Sequence, residues 1–249
     1  MKKYLITGVL ALLLIMPIVG AANITNEKYE VQPSNILSGE DFTHTVFAEY
    51  GSTTTCPYCP GASGAMYSIY QSGEYPLYYV SLVSDKNSVA ATRLYYLAAR
   101  GVPVVYFDGG ETNIVGDVGE AQYQTIIEEM GAREVKQPID MTTTVTWDGD
   151  AKITITITLT NNGGFYLGLL KSYVTEIESR WNDNDGNPYH YAFIDFAFNR
   201  PIILFGGKER TFTKQFDFSK DHGGETFEDI AEDNIQVVST ISHLIPQKR

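Results

Sequence analysis

Two periodicities laid end to end predict an α/β unit followed by an all-β unit. Three observations carry that expectation. Strand-like and helix-like segments alternate from Thr45 to Gly131, and a two-residue alternation of apolar and polar side chains takes over beyond it. The length of 249 residues is above the usual single-domain size and favours two domains. Apolar residues make up 43% of the chain and charged residues 19%, which suits packed cores and not a disordered chain.

The first unit reads in order. Val46-Phe47-Ala48-Glu49-Tyr50 is a strand, followed by the turn-rich Gly51 to Thr55. A helix carries Ala62, Met66, Ile69 and Tyr70 on one face and stops near Gly73. Leu77 to Val83 is a continuous apolar run, as in a strand covered on both faces. Asn87 to Arg100 spaces Ala90, Leu94, Leu97 and Ala98 as a helix does, with Gly101 as its expected stop. Val104 to Phe107 and Thr112 to Val115 form a hairpin about Asp108-Gly109-Gly110. Tyr123, Ile126, Ile127 and Met130 line a last helix ending at Gly131.

After a connector at Ala132 to Gln137, Met141 to Trp147 and Lys152 to Leu159 alternate strictly about Asp148-Gly149-Asp150, a hairpin signal. Further strands are expected at Tyr166 to Ile177, Tyr189 to Phe198, Ile202 to Phe205, Arg210 to Phe218 and Ile235 to Ile241. About seven strands in roughly a hundred residues suggest a β-sandwich of immunoglobulin or fibronectin type.

The first residues read as an address. Lys2-Lys3 precede an apolar run from Leu5 to Val19, and Val19-Gly20-Ala21-Ala22 supplies small residues for cleavage after Ala22. An uncleaved membrane anchor is the other reading, but Pro17 and the small-residue end favour cleavage. The expected division is therefore a signal peptide at 1–22, a leader at 23–44, the α/β unit at 45–132 and the sandwich at 138–245. An extracytoplasmic location follows, secreted, periplasmic or on the cell surface, where a disulfide persists. The formal charge is −12, and no long Lys/Arg cluster exists, so nucleic acid is not an expected partner.

Chemistry concentrates in Thr55-Cys56-Pro57-Tyr58-Cys59-Pro60, which holds both cysteines of the chain. A C-x-x-C at a helix start places the first thiol beside unpaired backbone N–H groups that favour the thiolate. The second lies one turn inward, within reach of a mixed disulfide formed on the first. Cys56 is thus the expected attacking thiol and Cys59 the resolving one. Half a zinc site shares this spacing, yet His44, His190, His222 and His243 are scattered, so no metal and no other cofactor is expected. A purely structural disulfide is the remaining reading, although so short a loop gains little chain entropy.

Thr55-Cys56-Pro57-Tyr58-Cys59 resembles the glutaredoxin active site. Gly101-Val102-Pro103, whose proline lies 47 positions after Cys56, resembles the cis-proline loop of the thioredoxin superfamily. The resemblance covers about Val46 to Met130, where the strand–helix order also agrees. It implies a thioredoxin-like domain in which Pro103 is cis, packs against the disulfide and excludes metal. It also implies that the Val102 backbone, with Pro57 and Tyr58, meets an extended substrate segment. Thioredoxins carry a buried acid on the strand before the motif. By that resemblance Glu49 would have a raised pKa and take the proton of Cys59, although a solvent-facing Glu49 is an equal reading. The whole chain is also similar to secreted thioredoxin-like proteins with a trailing sandwich.

Other stretches carry less. Asn182 to Asn187 has clustered oxygen ligands but not the spacing of a calcium loop, and reads as a hairpin turn. Tyr189, Tyr191, Phe193, Phe196 and Phe198 read as core. Two function classes emerge. One is a thiol-disulfide oxidoreductase acting on protein or peptide thiols and disulfides with an unidentified redox partner, membrane-bound only if the signal segment stays uncleaved. The other is a cell-surface binding or adhesion protein on a thioredoxin-like scaffold.

Overall fold

A computed structural model describes residues 21–23, 42–134 and 137–244. Most of the expected signal peptide (1–20) and most of the leader (24–41) lie outside these residues. The chain order is β1 (Ala21–Asn23), β2 (Val46–Ser52), α1 (Cys59–Ser72), β3 (Leu77–Val83), α2 (Ser88–Tyr96), β4 (Val104–Phe107), β5 (Thr112–Val115) and α3 (Glu120–Gly131). There follow β6 (Ile139–Gly149), β7 (Lys152–Asn161), β8 (Tyr166–Asn182), β9 (Pro188–Leu204), β10 (Lys208–Asp217) and β11 (Ile235–His243). Strands dominate and helices are few.

The strands form one mixed eight-stranded sheet, in the order β1-β11-β8-β9-β3-β2-β4-β5, and a second sheet, β10-β7-β6. In the first, β2 is parallel to β3 and antiparallel to β4, and β5 returns antiparallel to β4. The expected second unit does not stand apart, because β9 lies parallel beside β3 with Ser81 opposite Ala192. Packing widens this narrow join. Ser81 Oγ donates to the His190 carbonyl at 2.7 Å, the Tyr67 ring stacks on His190, and Tyr191 meets Tyr70 and Tyr79 edge-on.

Each face of the large sheet has a core drawn from both parts of the chain. On one face Val46, Ala48 and Tyr50 pack with Ala62, Met66 and Ile69 of α1 and Tyr123 and Ile127 of α3. This core runs on into Val174, Ile194 and Ile153 to Leu159. On the other, Phe47, Val80 and Leu82 pack with Ala90 and Leu94 of α2 and with Tyr173, Phe193 and Val238. Separate cores at 45–132 and 138–245 are therefore not what forms. The buried apolar run of β3 needed neighbours on both edges, and β9 supplies one.

In the second sheet Ile153, Ile155, Ile157 and Leu159 point inward, while Thr156 and Thr158 meet Thr213 and Thr211 across strands on the outer face. The two expected strands at Tyr189 to Phe198 and Ile202 to Phe205 are one 17-residue strand, β9, and its partner β8 is equally long. Pro201 does not end β9; it sits within the strand, opposite Leu169.

Helix ends follow local chemistry. Gly73 closes α1 in the left-handed region, at φ 65°. The side chain of Asn87 caps α2 by accepting from the Val89 and Ala90 amides. That helix ends earlier than the expected Gly101, because Ala98 already turns left-handed (φ 58°) and the Ala99 amide closes on the Leu94 carbonyl. Gly51 lets α2 seat closely, since a Cβ there would lie 2.7 Å from Leu94.

Candidate functional site

Cys56 and Cys59 form a disulfide with a Cα–Cα separation of 5.4 Å. Cys56 lies in the link between β2 and α1, and Cys59 is the first residue of α1. Cys56 is not itself at the helix start, as the sequence suggested; α1 opens at Cys59. Pro60 has no N–H to give to the Cys56 carbonyl, so the α-helical ladder has no bond to form there. The Cys59 amide closes a tighter turn on that carbonyl instead, at 3.3 Å. Cys59 is fully buried and Cys56 is 7% exposed, while Tyr58 beside them is 71% exposed. Of the two cysteines, only Cys56 keeps any exposed surface.

The turn is held from several directions. The Thr54 amide donates to both carboxylate oxygens of Asp85, at 3.0 and 3.1 Å. The Cys56 amide donates to the Thr53 carbonyl. From β2, the Tyr50 hydroxyl donates to the Cys59 carbonyl at 2.7 Å. From β9, the Tyr189 hydroxyl donates to the Thr53 carbonyl at 3.0 Å, which leaves the Ser52 hydroxyl to donate to Tyr189 across 2.6 Å. Burial pushes the Tyr50 phenol well above its ordinary pKa and the Tyr189 phenol up to about 12. Both stay protonated donors at neutral pH, so they position the turn and do not take protons from it.

Val102–Pro103 is a cis peptide bond. Val104 pairs with Gly51 across the β2–β4 ladder, so the buried Pro103 sits at the sheet end from which the dithiol turn departs. Its carbonyl accepts from the Gly116 amide at 2.8 Å. Cys56, Pro57, Tyr58, Cys59, Val102 and Pro103 thus share one end of the sheet.

Glu49 does not join them. It is fully buried, but strand alternation turns it to the α2 face, opposite the Tyr50 face that carries α1. Its oxygens accept from Arg93 Nε and a terminal guanidinium nitrogen, each at 2.6 Å, and from the Tyr173 hydroxyl at 2.9 Å. Burial works against the Arg93 charge, but the bonds to Glu49 and its negative charge more than reverse that. The expected proton acceptor for Cys59 is therefore one half of a buried ion pair on the far face.

Tyr50, Ser52, Asp85 and Tyr189 support the turn and were not singled out from sequence as site residues. Tyr50 was legible in principle, as the strand neighbour whose alternation faces α1 if Glu49 does not. Tyr189 was not, since nothing local tells that β9 reaches the dithiol. The Asn182 to Asn187 segment is the β8–β9 hairpin turn, with Asp183 Oδ1 accepting from the Asp185 and Asn187 amides. Among the described residues no group of three or more His, Cys, Asp and Glu is arranged to hold a metal.

No family model matches the sequence, and no curated protein matches it significantly. The structure is similar to that of HBP35 of Porphyromonas gingivalis, with a TM-score of 0.64 and 16% identity over 81% of this chain and 70% of that one. At that identity the likeness is one of fold. A structural-genomics target protein from Agrobacterium tumefaciens gives a TM-score of 0.42 and 15% identity over 68% of this chain and 78% of its own, too distant to carry an argument. A close cysteine pair at disulfide distance, compatible with thiol chemistry, is what the site and these comparisons establish together.

Proposed function

We propose that the protein is an extracytoplasmic thiol-disulfide oxidoreductase acting on protein or peptide thiols and disulfides. The observation that carries the reading is the Cys56–Cys59 disulfide itself. It lies just beneath the surface, beside the exposed Tyr58, with Cys56 nearly buried and Cys59 fully buried. The succession β2-α1-β3-α2-β4-β5-α3 and the strand order β3-β2-β4-β5 support a thioredoxin-like core, with the C-terminal strands as a sandwich-like extension. The cis Val102–Pro103 bond at the same sheet end supports it too.

In the oxidising direction a substrate thiolate attacks Cys56 Sγ. The Cys56–Cys59 bond breaks, and Cys59 leaves as the thiolate with the electron pair. A second substrate thiolate then attacks its own sulfur in the mixed disulfide and expels Cys56. The substrate gains a disulfide and the protein keeps two electrons as a dithiol. The same steps in reverse reduce a substrate disulfide, with Cys56 as nucleophile and Cys59 resolving. An unidentified redox partner resets the pair. The extracytoplasmic location is supported by the disulfide and by the signal-peptide pattern of residues 1–22. Among the described residues no helix is long and apolar enough to cross a membrane.

Reduction of insulin by the reduced protein tests the reading. Wild type is expected to be active and Cys56→Ser inert, while Cys59→Ser traps substrate as a mixed disulfide. Equal trapping by both variants would overturn the roles. An inert wild type would favour the scaffold reading, in which the fold serves surface binding.

A further inference from the structure

The α2 face of the large sheet, away from the dithiol, carries a cavity of about 380 Å³, within the range of about 300–1,000 Å³ usual for small-molecule sites. The cavity is an open groove; one side is a face of α2, Val89, Thr92, Arg93 and Tyr96, spaced i, i+3, i+4, i+7, with Thr92 and Tyr96 exposed at its rim. The core face of the same helix, Ala90 and Leu94, is buried. Its floor comes from the paired strands β8 and β9, which present Lys171 directly opposite Asn199, with Phe196 alongside.

We propose that this cavity binds a small organic monocarboxylate, with the carboxylate on Lys171 and an apolar body against Tyr96 and Phe196. The charge count at the site asks for one anion. Glu49 is matched by Arg93 through a bidentate ion pair, which leaves Lys171 in excess. The Lys171 residue is 9% exposed, and among the described residues nothing hydrogen-bonds its ammonium. Its stem is buried while the ammonium keeps contact with solvent at the groove. Burial first, then the neighbouring Arg93 charge, pull the Lys171 pKa down to about 8 against the opposing pull of Glu49. A carboxylate seated there supplies the counter-charge and a charge-assisted hydrogen bond in this partly desolvated position.

The remaining groups narrow the ligand. The Asn199 amide, on the strand position facing Lys171, is placed to donate to the second carboxylate oxygen. Val89 and Phe196 offer half-buried apolar walls, and the exposed Tyr96 ring borders the opening. One surplus positive charge suits a monoanion, and the strongly acidic chain around it disfavours polyanions such as nucleotides.

The test is titration of the oxidised full chain with 3-phenylpropionate, with its uncharged amide and with acetate, followed by backbone amide shifts in NMR. The acid is expected to move Thr92, Tyr96 and Asn199. The amide and acetate should bind roughly tenfold or more weakly, one lacking the charge-assisted bond and the other the apolar contacts. Lys171→Met should weaken the acid by a similar factor, and Lys171→Arg should keep most of the binding. Lys171→Met keeps the buried stem and removes a charge that holds no hydrogen bond among the described residues, and the comparison of acid with amide needs no variant. Equal binding of acid and amide, shifts confined to other surfaces, no shift with the acid, or full affinity in a folded Lys171→Met would each overturn the proposal.

Discussion

Replacing Arg93 by Met strands the Glu49 carboxylate in the α2-side core. Glu49 is fully buried and the Arg93 side chain is 11% exposed, so water does not reach in to compensate. Losing one partner of a buried pair costs about 3–5 kcal/mol. Two features move the expectation toward the lower end: the Tyr173 hydroxyl still donates to Glu49, and the Lys171 charge acts on the same group. A loss of about 3 kcal/mol in urea unfolding at neutral pH is the expected outcome for Arg93→Met. The double variant Glu49→Leu/Arg93→Met should recover most of it, because apolar replacement of a whole buried pair is often neutral or stabilising. The cycle then isolates a coupling of about 2–3 kcal/mol. The same double variant should keep the wild-type dithiol midpoint potential and insulin-reduction rate, since the pair lies on the far face of the sheet. A cost below about 1 kcal/mol for Arg93→Met would mean the pair is solvated like a surface bridge. A shifted potential in the double variant would return Glu49 to the thiol chemistry and refute the face assignment.

Asn87→Ala should cost about 2–4 kcal/mol in urea unfolding, because it removes the α2 cap and the amide that donates to the Phe193 and Ile194 carbonyls. The fragment 23–132 should aggregate or stay unfolded by circular dichroism and size-exclusion chromatography, since it bares the β3 edge and half of both cores; a soluble, cooperatively unfolding fragment would show that β9 is dispensable. Burial lowers the His222 pKa, but bonds to Asp195 and the Asp217 carbonyl more than reverse this, leaving it raised. The stabilisation from proton binding is then fully present below the unfolded value of about 6.5 and lost as pH rises through the higher folded value. The stability gap between wild type and His222→Gln should therefore narrow from about pH 5.5 to about pH 8; a gap that widens would reverse the sign.

Local pattern made the elements legible and left their assembly open. Leu77 to Val83, Val104 to Phe107 and Thr112 to Val115 form strands at the expected bounds, because turns and apolar runs are near-neighbour signals. The C-x-x-C pair was legible for the same reason. Three expectations differ from the structure for three separate reasons: a strand partner distant in sequence, a family analogy, and one missing backbone donor. The β3–β9 pairing joins Ser81 to Ala192, a separation that no window of pattern spans. The role given to Glu49 rested on analogy with a family acid, whereas its alternation with Tyr50 along β2 already offered the opposite face. The start of α1 shifted by one turn because Pro60 withholds an N–H, a consequence readable from sequence once the ladder is counted bond by bond.

The 17-residue β9 strand begins beside the dithiol turn, where Tyr189 holds Thr53, and ends near the loops bearing Phe165 and Phe205, each 64% exposed and touching edge-to-face. At about 3.3 Å per residue such a strand runs about 50 Å. Because β8 accompanies it residue for residue, broken only by bulges, it behaves as a stiff strut and not as a tether. A flexible linker would let the disulfide sweep a volume and meet partners at random angles. A strut instead fixes the distance and heading of the disulfide from the aromatic end, so under the proposed function rotating or shortening that strut would change which thiols come within range without altering the sulfur chemistry.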